Sequence, residues 1–297
     1  MTRSHRLALA AVLFVSLLSA CGSSEQEHAP GAVTLLDPGR EPRQELRYTI
    51  QPAAIEDFTM TMEMSMDQGD GNEIGLPRTV VAMELTPAVE GDSIRVAFRT
   101  RDIRVEDREG ARAGLVPAMR AIMEGLKPMH GYWVVTPRGE TGDSHFEGME
   151  SAPAQVKQAM ADMQESIRSL VTELPKEPVG VGAKWRVEQF IPMLQAGILQ
   201  RTDYEVLSLE GTRVELGVTL TQTLGHERSM NEREAESGML LQSVEGDGTG
   251  SVSLDFAHLA PVSSEMTSHS SMATAGKNTG AGIKTKTTMR MTGKGTW

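Results

Sequence analysis

Cysteine is almost missing from this chain: Cys21 is the only one in 297 residues. That excludes an internal disulfide framework and any zinc or iron–sulfur centre built from several cysteines. Aromatic residues are scarce too, at 4%, so a core has to be filled by aliphatic side chains and by the 19 methionines. Lys and Arg are outnumbered by Asp and Glu, 29 to 40, for a formal charge of -11. A general nucleic-acid binder would need a basic face instead. No apolar run reaches the about 20 residues of a membrane-spanning helix. No GxSxG elbow offers a serine nucleophile, and no HxxxH pair offers metal-ligand spacing. What is present is an ordinary apolar fraction, 39%, which argues for a folded body.

Residues 1–20 read as a secretory signal peptide. Arg3 and Arg6 form a basic start, and Leu7 to Leu18 is a twelve-residue apolar stretch. It ends in Leu18-Ser19-Ala20-Cys21, which resembles a bacterial lipobox, with the single cysteine at the residue that becomes acylated. The bland alternative is an ordinary signal peptide with a chance cysteine after its cleavage point. The resemblance implies a lipoprotein held by several fatty acyl groups, such as palmitate, on Cys21. One chain binds membranes marginally and several bind stably. Gly22, rather than Asp, after the cysteine leans towards the outer membrane, facing the periplasm. Loss of residues 1–20 removes two arginines, leaving a mature balance of -13. Residues 21–43, rich in Gly, Ser, Pro and charge, read as the acylated cysteine and a mostly flexible tether, although Val33 to Leu36 has the composition to dock locally.

Residues 44–297 read as a single β-rich domain. Period-2 alternation marks half-buried strands: Leu46, Tyr48 and Ile50; Phe58 and Met60 to Met66; Val81, Met83 and Leu85; Ile94, Val96 and Phe98; Trp185 and Val187; Val214 to Leu224; Val252 and Leu254; Met266 and Met272; Met289 and Met291. The phase slips after Phe98 to Ile103 and Val105, which predicts a bulge near Thr100 to Asp102. Gly246-Asp247-Gly248-Thr249-Gly250 reads as a turn before a strand, not a phosphate cradle, because no helix follows. Helical spacing appears twice, over Leu115 to Leu126 and Ala154 to Glu173. The expected class is therefore α+β: a curved antiparallel sheet, a half-barrel of about ten strands, packed on two amphipathic helices.

Leu46-Arg47-Tyr48, the Met/Thr-rich second strand and Pro178 to Trp185 (PVGVGAKW) together resemble an uncharacterised family of bacterial lipoproteins over roughly residues 44–297. The resemblance implies no activity. The strand–helix order is also similar to the half-barrels of Lol-type periplasmic lipoprotein carriers, by fold analogy alone.

The methionines carry the sharpest chemical hint. Met60, Met62, Met64 and Met66 alternate, so their thioethers share one strand face. Flexible thioethers suit an adaptable apolar surface, and soft ones suit Cu(I); they also simply fill core volume. No histidine lies in that strand. His226 near Met230 and His269 near Met272 are the nearest approach to a mixed site, and surface histidines are the plainer reading. With Met160 and Met163 on the second helix, the methionines suggest the lining of an apolar cleft. The functional expectation is a non-enzymatic, membrane-anchored cell-envelope lipoprotein that binds an apolar ligand, a lipid for example, or a partner protein of the envelope, with no cofactor, no metal and no nucleic acid. A structural or assembly lipoprotein with a filled core is the alternative. An extracytoplasmic hydrolase or a copper-binding protein is less favoured.

Overall fold

The alternating segments become hydrogen-bonded strands because each has one apolar and one polar face. The computed structural model describes residues 32–50, 55–67, 73–112, 114–127, 129–147, 170–191, 193–226, 238–276 and 282–297. Among them lie strands β1 (Ala32–Asp37), β2 (Glu56–Asp67), β3 (Glu73–Gly75), β4 (Arg78–Glu90), β5 (Ser93–Glu106), β6 (His130–Val135) and β7 (Thr141–Glu147). They continue with β8 (Lys184–Ile191), β9 (Ile198–Glu210), β10 (Arg213–Leu224), β11 (Met239–Asp255), β12 (Ser263–Gly276) and β13 (Gly282–Thr296). All thirteen belong to one sheet, in the order β1-β8-β9-β10-β11-β12-β13-β2-β4-β5-β6-β7, with β3 paired to β2. Every paired strand runs antiparallel to its neighbour.

This corrects the expected sheet packed on two helices. One helix, α1 (Leu115–Glu124), is present among the described residues, and none of its residues is buried. It forms where the spacing predicts but rides beside β5; Leu126 and Met129, just beyond its end, are what reach the core. Residues 154–169 of the second expected helix lie outside the described residues. Its last four, Leu170 to Glu173, are not helical, and Val171, Thr172 and Glu173 are buried as turn and extended chain. Pro175 and the extended run before it leave those backbone groups to pair elsewhere.

Among the described residues, irregular segments complete the core against the sheet. Leu46, Tyr48 and Ile50 are buried alternately, as expected, but as an extended insert rather than a strand. The Tyr48 amide donates to Pro137 O at 2.8 Å and the Thr49 amide to Phe256 O at 2.6 Å. Leu174 N donates to Arg138 O at 2.8 Å, and Trp185 Nε1 to Glu173 O at 3.0 Å. One core cluster joins Phe98 and Trp133 of β5 and β6 to Trp185, Leu216 and Leu254 of β8, β10 and β11. Those groups are separated within the sheet by β12, β13, β2 and β4, so the sheet curves to bring both onto the same inserts. The core therefore sits at one end of the inner face.

Three local findings refine the sequence reading. The register of β4 against β5 shifts between Ala82 and Met83, opposite Thr100 and Asp102, which is the expected bulge. The Val33–Leu36 stretch does dock: β1 pairs with β8, so a strand lies inside the segment read as tether. Gly246 to Gly250 is not a turn. It lies in the middle of β11, paired to β10 on one side and β12 on the other. Two ladders of backbone hydrogen bonds override the poor strand propensity of glycine, whose presence in a strand interior instead marks close approach.

Candidate functional site

In an antiparallel pair, directly opposed residues project to the same face, so the register maps the inner face beyond the packed core. Met62 faces Met291, and Met64 faces Met289, across β2 and β13. Met291 faces Met266 across β13 and β12. The thioethers of Met60 to Met66 thus join three further methionines that the sequence placed in strands but not on this wall. Met60, Met64 and Met66 are buried, while Met62, Met266, Met289 and Met291 are half-buried. The expected inward direction of the methionine strand is what the burial alternation of β2 displays. Met160, Met163 and Cys21 lie outside the described residues.

Beside the methionines the wall changes character. Gly246, Gly248 and Gly250 occupy the inner positions of β11, opposite Gln222, Leu220 and Val218 of β10. On the other side they face Ser270, Ser268 and Met266 of β12. A Cβ at Gly246 would lie 2.7 Å from Gln222 Oε1, and one at Gly250 only 2.2 Å from the Glu265 carbonyl oxygen. The glycines therefore let neighbouring groups lie against the strand, and they leave a strip with no side chain larger than serine between Leu220 and Met289.

Above this strip runs a row of amides. Gln222 Nε2 donates to Gln200 Oε1 at 2.9 Å, and Gln200 Nε2 reaches Gln189 Oε1 at 3.4 Å. The row continues across the register through Gly246, Ser270 and Thr287 to Met66. At the core end, Trp185 stacks on Tyr204 with ring centroids 5.3 Å apart. Burial pushes the Tyr204 phenol above its ordinary range, with the Glu173 charge adding to the shift.

Ionic chemistry lies on the opposite, outer face. Arg186 pairs with Asp203, Arg201 with Glu188 and Lys184 with Glu205 across β8 and β9. Arg290 pairs with Glu265, and Arg99 meets Glu84 through two contacts of 2.7 Å. An outer groove of about 560 Å³ is lined by Arg95, Lys127, His130, Tyr132 and Glu147, among others. Arg95 lies 3.7 Å over the Tyr132 ring, and His145 contacts Glu147 at 2.9 Å. The histidines do not join the methionines. His269 bonds Thr288 at 3.1 Å on the outer face, three positions from the inward Met272 and hence on the other side of the same strand. His226 stacks on Phe190; Met230 lies outside the described residues. The amide row and the glycine strip are the features sequence reading missed. The signal was available: Gly246, Gly248 and Gly250 alternate in period two, as do Gln200, Thr202 and Tyr204.

No family model matches the chain, and no curated protein matches it. Among solved structures, lipovitellin, described for its lipid–protein interactions, is 9% identical with a TM-score of 0.43. That match covers 82% of this chain, which spans only 25% of the lipovitellin chain. A loop-deletion mutant of OmpT, an outer membrane protein of Vibrio cholerae, gives 7% identity and a TM-score of 0.20, covering 83% of this chain and 100% of that one. A protein of unknown function from the DUF3598 family of Nostoc punctiforme gives 10% identity and a TM-score of 0.10, covering 78% and 94%. At these scores the likenesses carry neither fold nor function to this chain.

Proposed function

We propose that the protein is a cell-envelope lipoprotein, anchored through acylated Cys21 to the outer membrane on its periplasmic side, whose inner sheet face binds an apolar ligand without catalysing a reaction. The observation that supports the reading is the half-buried methionine wall, Met62, Met266, Met289 and Met291, next to a strip of small inner residues, Gly248, Gly250 and Ser268. A core meant only for rigidity is better filled by Leu, Ile and Phe, whose rotamers are well defined. Unbranched thioethers instead re-pack around chains of varied shape. Apolar burial against the methionines contributes about 25 cal/mol per Å².

The test is titration of the mature chain, carrying Cys21→Ser so that it is soluble, with a fluorescent fatty-acyl probe. Saturable micromolar binding that Met289→Glu weakens, with the fold intact, is the expected result. Absence of binding by any acyl probe overturns the reading and leaves the structural or partner-binding lipoprotein.

A further inference from the structure

Charge is sorted between the two faces of the strands that form this wall, with the buried Glu56 and Glu173 only at its core end. From β8 to β12 the described inner positions hold no Asp, Glu, Lys, Arg or His, and the same is true of β13 from Thr285 to Gly295. In β2 the one ionisable inner residue is Glu56 at the core end, and three backbone amide contacts with Leu259 and Ala260 already occupy it. The inner wall is nonetheless not uniformly apolar. The amide row of Gln189, Gln200 and Gln222 crosses three adjacent strands at one height, and the hydroxyls of Ser270 and Thr287 continue it at the same height. Below it lie the thioethers.

The geometry points to a two-zone site for a neutral amphiphile: the acyl chain lies along the methionine and glycine wall, and an uncharged hydroxyl- or amide-bearing head sits at the Gln189–Gln200–Gln222 row. This rests on the ligand-binding reading above and specifies its ligand class. The bonding of the row supports it. Among the described residues, with Gln222 donating to Gln200 and Gln200 to Gln189, Gln222 Oε1 lies against Gly246 as an acceptor and the Gln189 amide group ends the row as a donor. A neutral hydroxyl or amide both donates and accepts, so it matches both ends. A carboxylate or phosphate brought to the same place finds no cation among the described inner positions of β8 to β13, and an anion desolvated without a partner is strongly disfavoured.

Three probes sharing one sixteen-carbon chain test this: monopalmitoylglycerol, palmitate and palmitoyl lysophosphatidate, each titrated calorimetrically into the mature Cys21→Ser chain. Monopalmitoylglycerol is expected to bind at least about tenfold more tightly than either anion, about 1.4 kcal/mol by conversion. Gln222→Glu, which keeps shape and adds a charge, should weaken monopalmitoylglycerol by about tenfold. The probe comparison on the unaltered row needs no variant, so the test stands even if Gln222→Glu does not fold. Equal binding of all three, or tighter binding of an anion, overturns the neutral-head inference while leaving the apolar-ligand reading in place. Failure of all three to bind overturns both.

Discussion

The carboxylate of Glu56 receives the backbone amide of Ala260 at 2.7 Å across 204 residues of sequence. Leu259 N adds two contacts of 3.0 Å to the same group, and Glu56 is fully buried. This one residue ties the start of β2 to the β11–β12 connection, across β12 and β13. His258 Nδ1 stands 3.5 Å away and its ring stacks on Trp297 at 3.8 Å. Glu56 is thus a latch between these two segments. Glu56→Ala strands two buried amides and should cost about 2–4 kcal/mol. In a body of this size that is a fall of several degrees in melting temperature, readable by calorimetry. An unchanged melting temperature would refute the latch.

Burial separates the methionines of β2. Met60 is 6% exposed and belongs to the main core cluster, whereas Met62 is half-buried beside it. Met60→Ala should cost about 2–5 kcal/mol, the range for a buried large-to-small change. Met62→Ala should cost clearly less and should weaken acyl-probe binding instead. Chemical denaturation of the two variants side by side gives the comparison; equal losses would place Met62 in the core and count against a ligand wall.

The β11 glycines differ in how much room they have. An added Cβ at Gly250 would meet the Glu265 carbonyl oxygen at 2.2 Å, whereas at Gly248 it would meet Ser268 Cβ at 3.0 Å. Gly250→Ala should therefore destabilise strongly, by about 1–3 kcal/mol as for overpacking. Gly248→Ala should be milder in stability but should push Ser268 aside and reduce acyl binding. Equal thermal shifts for both would argue against the close approach at Gly250.

The Arg186 guanidinium donates to Asp203 at 2.6 and 2.8 Å and holds its carboxyl below the usual carboxylate range. A depressed folded value means stability that is present above the ordinary value of about 3.9 and lost as pH falls through the lowered one. Asp203 is 37% exposed at its side chain, so screening keeps the contribution small. Asp203→Asn should lose less stability than the parent between about pH 5 and pH 2. Parallel denaturation curves across that window would contradict the assignment.

The proposed anchor at Cys21 and the first strand are tested separately. Cys21→Ala should abolish acylation and release the chain from membranes washed with high salt; retention there would place the anchor elsewhere. From Cys21 to Ala32 the chain spans at most roughly 40 Å, about half the reach a tether to residue 43 would have. Deleting residues 32–37 removes β1, uncovers the β8 edge and should lower the melting temperature; an unchanged value would count against that pairing.

The strands were legible because period-2 alternation survives wherever one face is buried and the other solvated, as in Val214 to Leu224, and even the bulge after Phe98 was written in a phase slip. The amphipathic spacing of Leu115 to Leu126 likewise marked the helix. Spacing alone could not say that α1 would bury none of its residues, because which surface an amphipathic stripe meets is a tertiary matter. Gly246 to Gly250 looked like a turn because glycine disfavours strands locally; only pairing on both sides decided otherwise. The methionine wall followed the same division. Met60 to Met66 share a face by geometry within one strand, but Met266, Met289 and Met291 join them only through registers across β12 and β13, and the row from Gln189 to Gln222 exists only across three strands. Side-chain direction within a strand is a local property of the backbone, whereas the neighbours a side chain finds are set by long-range pairing.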